Sequence, residues 1–127
     1  MLNLATIIRD SARQHPDVAA LVSGEQTLTH RELDERARRF AAALYSMGVR
    51  RGQHVAIVLP NVAEFSVSYF GILYLGASVV PINILLTADE IAYHLDDSDA
   101  VALVAWEPSM EAAVAAMKRV DTCRVLI

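Results

Sequence analysis

The chain has 127 residues, of which 54% are hydrophobic and 20% are charged, and its formal net charge is −4. This length suffices for one domain with a buried core. Acidic residues outnumber the basic ones, whereas a nucleic-acid-binding protein usually presents a basic face, so we expect no nucleic-acid partner. The hydrophobic fraction exceeds that of an average soluble domain, which indicates either membrane entry or a surface that another part of a larger protein covers.

The single cysteine, Cys123, cannot form an internal disulfide, which is typical of proteins from the reducing cytoplasm. It precedes the apolar run 125–127 and belongs to no His, Asn or Asp pattern, so we expect a buried thiol. The amino terminus does not resemble a signal peptide, because it lacks a basic start and because Arg9 and Asp10 interrupt its apolar stretch.

The segment 65–88 contains no charged residue and is long enough to span a bilayer. Pro81 interrupts it, however, and its flanks are acidic, with Glu64 on one side and Asp89 on the other. The pattern favours a buried helix followed by a buried strand and predicts no transmembrane span. A peripheral membrane contact stays open as an alternative.

The first part of the chain predicts a helix, a β-hairpin and a second helix. Helical spacing of apolar residues extends over 4–14, and short strands at 18–22 and 26–28 flank a turn. Thr29 and Glu32 form a capping box, which indicates where the second helix begins. The exposed side of that helix carries three acid-before-base pairs at i,i+4, which are Glu32–Arg36, Asp34–Arg38 and Glu35–Arg39. Its apolar stripe consists of Leu33, Ala37, Phe40, Ala41 and Leu44.

The rest of the chain alternates between apolar strands and helices. The helix predicted at 62–75 is apolar nearly all round, and Gly76 should end it. A second capping box, Thr87 with Glu90, opens the next helix. Pro108 is expected near the first turn of the last helix. The predicted strands are 54–59, 78–82, 100–106 and 124–127, and the predicted helices are 62–75, 87–97 and 108–118.

This alternation predicts an α/β fold with a predominantly parallel sheet and helices on both faces. The continuous apolar run 54–59 is typical of a parallel strand that is covered on both sides. Residues 1–127 show no internal repeat or long linker and are expected to form one incomplete α/β unit. Because a helix would normally follow the strand at 124–127, we also expect the unit to be truncated there and to self-associate through that strand.

Several kinds of functional site are not supported by the sequence. No GxGxxG motif follows a strand. Gly71 and Gly76 have the spacing of a P-loop, but the Lys-Ser/Thr pair is missing. The four histidines, His15, His30, His54 and His94, lack metal-ligand spacing. No catalytic, cofactor-binding or metal-ligating residue is therefore predicted.

Two clusters allow two interpretations each. Asp96, Asp97 and Asp99 could hold Mg²⁺ as in a receiver domain, although a solvated helix end is favoured. Phe65, Tyr69, Phe70 and Tyr74 could line an apolar substrate channel, although core packing is favoured for residues at this spacing.

Four stretches together resemble the front of the adenylate-forming superfamily, which includes acyl-CoA synthetases, luciferases and peptide-synthetase adenylation domains. They are 28–33 (LTHREL), 48–56 (GVRRGQHVA), 59–65 (LPNVAEF) and 71–83 (GILYLGASVVPIN). With the following 85–91 (LLTADEI), the last two look most like bacterial fatty-acyl-CoA ligases. The resemblance implies that the chain is part of the large amino-terminal domain of such an enzyme.

The resemblance also implies a reaction in two steps. ATP and a carboxylate such as a fatty acid form an acyl-adenylate and pyrophosphate, and a thiol such as coenzyme A then takes the acyl group. The family's phosphate-binding loop and its catalytic lysine lie outside the matched region, and the only lysine here is Lys118. ATP, Mg²⁺ and coenzyme A are thus expected in the longer enzyme and not on residues 1–127 alone. The alternative is a stand-alone, non-catalytic α/β binding or interaction module.

Overall fold

A computed structural model describes residues 2–127 of the chain. Five α-helices, one short 3₁₀ helix and six strands follow one another in the predicted order. The helices are α1 (Ala5–Gln14), α2 (His30–Ser46), α3 (Ala63–Leu75), α4 (Ala88–Asp97) and α5 (Met110–Met117), with the 3₁₀ helix at Glu107–Ser109. The strands are β1 (Ala19–Ser23), β2 (Gln26–Thr29), β3 (His54–Val58), β4 (Ser78–Pro81), β5 (Ala100–Ala105) and β6 (Val125–Leu126).

The main sheet has four parallel strands in the order β4-β3-β5-β6. Val55 of β3 lies opposite Val79 of β4 on one side and Ala102 of β5 on the other. Leu126 of β6 then lies opposite Leu103 of β5. The predicted parallel sheet is confirmed, and β3 lies inside it as its continuous apolar sequence required.

The two faces of β3 pack against different helices. Val55 and Ile57 belong to the cluster with Leu44 of α2 and Ile72 of α3. The intervening Ala56 belongs to the cluster with residues of α4 and α5. Because successive side chains of a strand point to opposite faces, a strand covered on both sides must be apolar at every position.

An outer layer lies against α2 and α3 on the side away from the sheet. Ile8 of α1 packs with Leu33 and Ala37 of α2, and Leu21 of β1 contacts the same cluster. Strands β1 and β2 form the predicted antiparallel hairpin, which is separate from the main sheet. The chain is thus layered as outer helix and hairpin, helix pair, sheet, and second helix pair.

Helix ends agree with the sequence signals. Both capping boxes form, because the Thr29 hydroxyl accepts from the Glu32 amide and the Thr87 hydroxyl accepts from the Glu90 amide. Each glutamate carboxylate in turn accepts a hydrogen bond from the backbone amide of its threonine, and this bond from Thr29 lowers the pKa of Glu32. Gly76 ends α3 in the left-handed conformation at φ 81°, where a glycine is favoured.

Three details differ from the sequence predictions. The ion pairs Asp34–Arg38 and Glu35–Arg39 form at 2.8 and 3.7 Å, but the Glu32 carboxylate binds the Thr29 amide instead of Arg36. Pro108 lies in the 3₁₀ turn that precedes α5, because a proline fits a helix start where no amide donor is needed. Helix α3 is apolar nearly all round yet only partly buried, since the outer layer covers it incompletely.

Among residues 2–127, no helix is both long enough and apolar enough to cross a membrane. The uncharged segment forms the 13-residue helix α3 and the strand β4 that follows it. The order of a helix followed by a strand is therefore confirmed. The predicted burial of the strand is wrong, because β4 is an edge strand of the sheet and its Ser78 and Pro81 are exposed.

Candidate functional site

The carboxyl ends of the parallel strands meet at one edge of the sheet, where open α/β sheets bind their ligands. The segments that follow the strands there are 59–62 after β3, 82–87 after β4 and 106–109 after β5. Ile127 follows β6 at the same edge. A functional surface is therefore expected at this edge.

A cleft of about 540 Å³ opens at this edge between the sheet and the helix pair α2–α3, and we call it the strand-end cleft. Residues of both helices and of three strand ends surround it. They are Arg36, Phe40, Leu59, Val62, Glu64, Val67, Ser68, Val104, Ala105, Trp106, Glu107 and Ile127.

Backbone hydrogen bonds fix the sheet side of the strand-end cleft. The Trp106 amide donates to the Val58 carbonyl at 2.9 Å, and the Ala105 amide donates to the Ile127 carbonyl at 3.0 Å. These bonds continue the ladder just beyond the ends of the three strands. Regular backbone hydrogen bonds therefore hold the sheet side of the cleft in place.

The polar groups of the strand-end cleft are few and chemically unrelated. Ser68 lies in the middle of α3 and is only 4% exposed, whereas Arg36, Glu64 and Glu107 are exposed around the cleft. A nucleophile would need a base within hydrogen-bond reach, and no histidine lines the cleft. An apolar surface of this kind is suited to binding an apolar group or another polypeptide segment.

The aspartates that could have held Mg²⁺ lie at the other edge of the sheet. Asp96 and Asp97 end α4, and Asp99 lies in the turn that leads into the amino end of β5. All three side chains are exposed. This placement agrees with the solvated helix end that the sequence favoured, and a receiver domain would instead gather its carboxylates at the carboxyl ends of the strands.

The histidines are distributed over separate elements. His54 begins β3, and its Nδ1 lies 2.6 Å from the Ser98 carbonyl oxygen, so it ties the central strand to the turn before β5. His94 lies on α4 edge-on to Tyr93. Within residues 2–127, no group of three or more His, Cys, Asp or Glu side chains is placed to hold a metal ion.

The two glycines with P-loop spacing have structural positions. Gly71 lies inside α3 against α2, and Gly76 ends the same helix. Lys118 follows α5, which returns the chain from the carboxyl end of β5 to the amino end of β6. The lysine therefore lies away from the strand-end cleft, and the described residues do not provide the cradle and cation that a triphosphate requires.

The two strongly perturbed ionisable groups also lie outside the strand-end cleft. Burial raises the pKa of the Cys123 thiol to about 11, so the thiol stays protonated and inert near neutral pH, as expected from the sequence. Burial, followed by the hydrogen bond to Asp34, raises the pKa of Tyr74 to about 12. Arg38 donates to both Asp34 of α2 and Tyr74 of α3 and thereby connects the two helices.

The aromatic side chains of α3 pack in two directions. Phe65 and Tyr69 contact the cluster on the sheet, while Phe70 and Tyr74 contact the outer cluster. None of the four lines the strand-end cleft. The core interpretation is therefore favoured over a single aromatic channel.

Sequence reasoning did not identify the residues that form the cleft. Phe40 and Val67 come from two helices, and Trp106 comes from a strand end. No motif joins them, because they meet only in the fold. The one usable signal was the end of each apolar strand, since such ends gather at one edge of a parallel sheet.

The open parallel sheet with helices on both faces and an apolar cleft at its carboxyl edge defines a protein of the open α/β class. A model of the AMP-binding enzyme family matches residues 8–127. The chain belongs to this family, and the resemblance drawn from the four sequence stretches is confirmed.

Curated relatives are acyl-CoA ligases. The chain is 42% identical over 95 residues to the long-chain-fatty-acid–CoA ligase of Haemophilus influenzae, covering 74% of this chain and 17% of that protein. It is 37% identical over 103 residues to the ligase of the same name from Salmonella typhimurium, covering 80% of this chain and 18% of that protein. The chain thus spans less than a fifth of the length of either relative.

Solved structures share the fold closely. An anthranilate CoA ligase in complex with anthranoyl-AMP superposes with a TM-score of 0.93 at 27% identity, over 99% of this chain and 25% of that chain. The N-terminal domain of FACL13 from Mycobacterium tuberculosis gives a TM-score of 0.92 at 31% identity, over 100% of this chain and 34% of that chain. The predicted α/β fold of an amino-terminal domain in this superfamily is confirmed.

Proposed function

We propose that this chain is the amino-terminal portion of an ATP-dependent acyl-CoA synthetase, most like the fatty-acid–CoA ligases. The observation that carries the proposal is the family match over residues 8–127, together with the small share of each relative that the chain covers. The related anthranilate CoA ligase, solved with anthranoyl-AMP, supports an acyl-adenylate as the intermediate.

The proposed reaction of the longer enzyme has two balanced steps. A carboxylate oxygen of the fatty acid attacks the α-phosphorus of ATP, and pyrophosphate leaves. The sulfur of coenzyme A then attacks the acyl carbonyl carbon, its proton is released, and AMP leaves. We also propose a cytoplasmic location for the enzyme, which the single, buried cysteine of residues 1–127 supports.

Residues 1–127 are proposed to act as a scaffold in this reaction. The described residues supply neither a glycine-rich phosphate loop nor a set of metal-binding carboxylates. ATP, Mg²⁺ and coenzyme A would then bind to other parts of the longer enzyme. The chain's contribution would be the sheet on which those parts are assembled.

An activity assay tests this proposal directly. The full reading frame that contains this sequence should release pyrophosphate and form acyl-CoA when given a fatty acid, ATP–Mg²⁺ and coenzyme A. Residues 1–127 alone should do neither, and calorimetry should detect no micromolar binding of ATP–Mg²⁺. A full-length protein that binds ATP but transfers no acyl group would refute the assignment, as would tight ATP binding by the short chain.

We also propose that the isolated chain self-associates at high concentration. The strand-end cleft is apolar and open, and Val125, Leu126 and Ile127 are only half-buried at the sheet edge beside it. Light scattering over a concentration series should show a mass that rises with concentration. A constant monomeric mass at high concentration would contradict this.

A further inference from the structure

Helix α5 lies on the face of the sheet opposite the helix pair α2–α3, and its inner side is fully buried. Ala113 and Ala116 pack there with residues of α4 in one cluster. The outer side of a helix that covers a sheet in this way normally carries polar and charged residues. On α5, however, Glu111 is the only charged residue between Met110 and Met117. The outer side of this helix is therefore unusually apolar.

That outer side combines apolar and charged residues at helical spacing. Glu111, Val114, Ala115 and Lys118 are separated by three or four residues, so they lie on one side of the helix. All four line one surface groove. Val114 is 36% exposed, and both charged side chains are exposed as well. We call these four residues the α5 outer face.

The two charges of the α5 outer face have no ionic partner in the described part of the chain. None of the ion pairs within residues 2–127 includes Glu111 or Lys118. They are too far apart to bind each other, because seven residues of an α-helix rise by about 10 Å. The neighbouring cation, Arg119, is already held by Asp89 of α4. Glu111 and Lys118 are therefore available to charges on another molecule.

The order of these residues makes the α5 outer face complementary to itself. Glu111 lies at one end and Lys118 at the other, and the midpoint of the two falls between Val114 and Ala115. If two α5 helices pack antiparallel about a two-fold axis through that midpoint, the glutamate of each copy faces the lysine of the other. The apolar pair then lies at the crossing point, where a small alanine allows a short distance between the helices.

We infer that the α5 outer face is a contact surface between two copies of this protein, which pair through antiparallel α5 helices. Charge complementarity selects a second copy, because the pattern of acid, apolar centre and base places opposite charges together when it meets its own reverse. One short helix buries less than the roughly 1,600 Å² of a standard interface, and exposed ion pairs contribute little. The contact is therefore weak and is weakened further by salt.

Charge reversals in the full reading frame test this inference. Sedimentation equilibrium over a concentration series should show a weak dimer for the unchanged protein. Glu111→Lys places lysines opposite each other and Lys118→Glu places glutamates opposite each other, so each should raise the dissociation constant of the dimer by on the order of tenfold. Glu25→Lys, in the exposed turn between β1 and β2, makes the same change in net charge as Glu111→Lys. This control should leave the dissociation constant within about twofold of the unchanged value.

A mixture of the two single variants gives a sharper result. One copy then carries two lysines on its α5 outer face and the other carries two glutamates, so both contacts again join opposite charges. With one variant fluorescently labelled, the mixture should form a heterodimer at least as tight as the unchanged dimer. Added salt should weaken this heterodimer.

The remaining outcomes overturn the inference. An unchanged protein that stays monomeric at every concentration would show that the α5 outer face does not pair. A dimer that both reversals leave intact would place the contact on another surface, and a mixture that associates no better than the separate variants would show that the two charges do not face each other. Both positions are exposed, so the variants should keep the urea midpoint of the unchanged protein. A large drop in that midpoint would show that the rest of the full protein covers the α5 outer face.

Discussion

Gly71 of α3 lies so close to Phe40 of α2 that a methyl group at position 71 would come within 2.7 Å of the Phe40 ring and 2.9 Å of the Ala37 carbonyl oxygen. Gly71 has no positive φ, so the close approach of the helices, and not backbone freedom, requires a glycine here. The contact sets the spacing of the helix pair that forms one wall of the strand-end cleft.

Gly71→Ala should therefore destabilise the protein. Alanine favours a helix over glycine by about 1 kcal/mol, but overpacking of a core typically costs about 1–3 kcal/mol. Because one of the obstructing atoms is a backbone oxygen, we expect urea denaturation to show a net decrease of about 1–2 kcal/mol in the free energy of unfolding. Ser66→Ala, on the same helix, is the control and should change stability by less than about 0.5 kcal/mol. A stabilised Gly71→Ala variant would show that the helices are farther apart.

Phe65→Ala tests the core interpretation of the aromatic helix. Phe65 stacks on Tyr69 with ring centroids 6.2 Å apart and packs against the sheet cluster, but it is only half-buried. We expect a loss of about 2 kcal/mol or more, below the roughly 3–5 kcal/mol of a fully buried phenylalanine. Tyr93→Ala removes a side chain from a residue that is 65% exposed and should cost less than about 0.5 kcal/mol. Equal effects of the two substitutions would contradict core packing at Phe65.

Alkaline pH should weaken the link between α2 and α3. The pKa of Tyr74 rises from 10.0 to about 12 in the folded chain, chiefly because of burial. Because this pKa is raised in the folded state, the contribution of protonated Tyr74 to stability is complete below pH 10. It is lost as the pH rises from 10 towards 12. Tyr74→Phe should flatten the decline of stability in this window, as measured by urea midpoints at several pH values. An unchanged slope would mean that Tyr74 does not contribute to it.

Cys123 should react slowly with a thiol reagent at pH 8 while the chain is folded. Its side chain is buried and its pKa is raised to about 11, so both access and the thiolate fraction are low. The same reagent in a denaturing concentration of urea should modify it rapidly. Fast labelling of the native chain would show that the turn before β6 opens readily.

The fold was predictable because several independent signals agree at each element. The Thr29 and Thr87 capping boxes marked helix starts, Gly76 marked a helix end, and the apolar run of β3 indicated a strand covered on both faces. The partner of Glu32 was not predictable, because its carboxylate could either accept from the Thr29 amide or form an ion pair with Arg36. In the structure it accepts from the Thr29 amide. The strand-end cleft was missed for a different reason, since Phe40 and Trp106 become neighbours only after the sheet has formed.

The strand order has a consequence for synthesis on the ribosome. β4 and β5 each pair with β3, and β6 pairs with β5, so each strand after β3 joins one that was translated earlier. Each of these three strands can therefore pair as soon as it emerges, and short sequence separations favour rapid assembly. The sheet can therefore form progressively as the nascent chain emerges, with β3 as its first member.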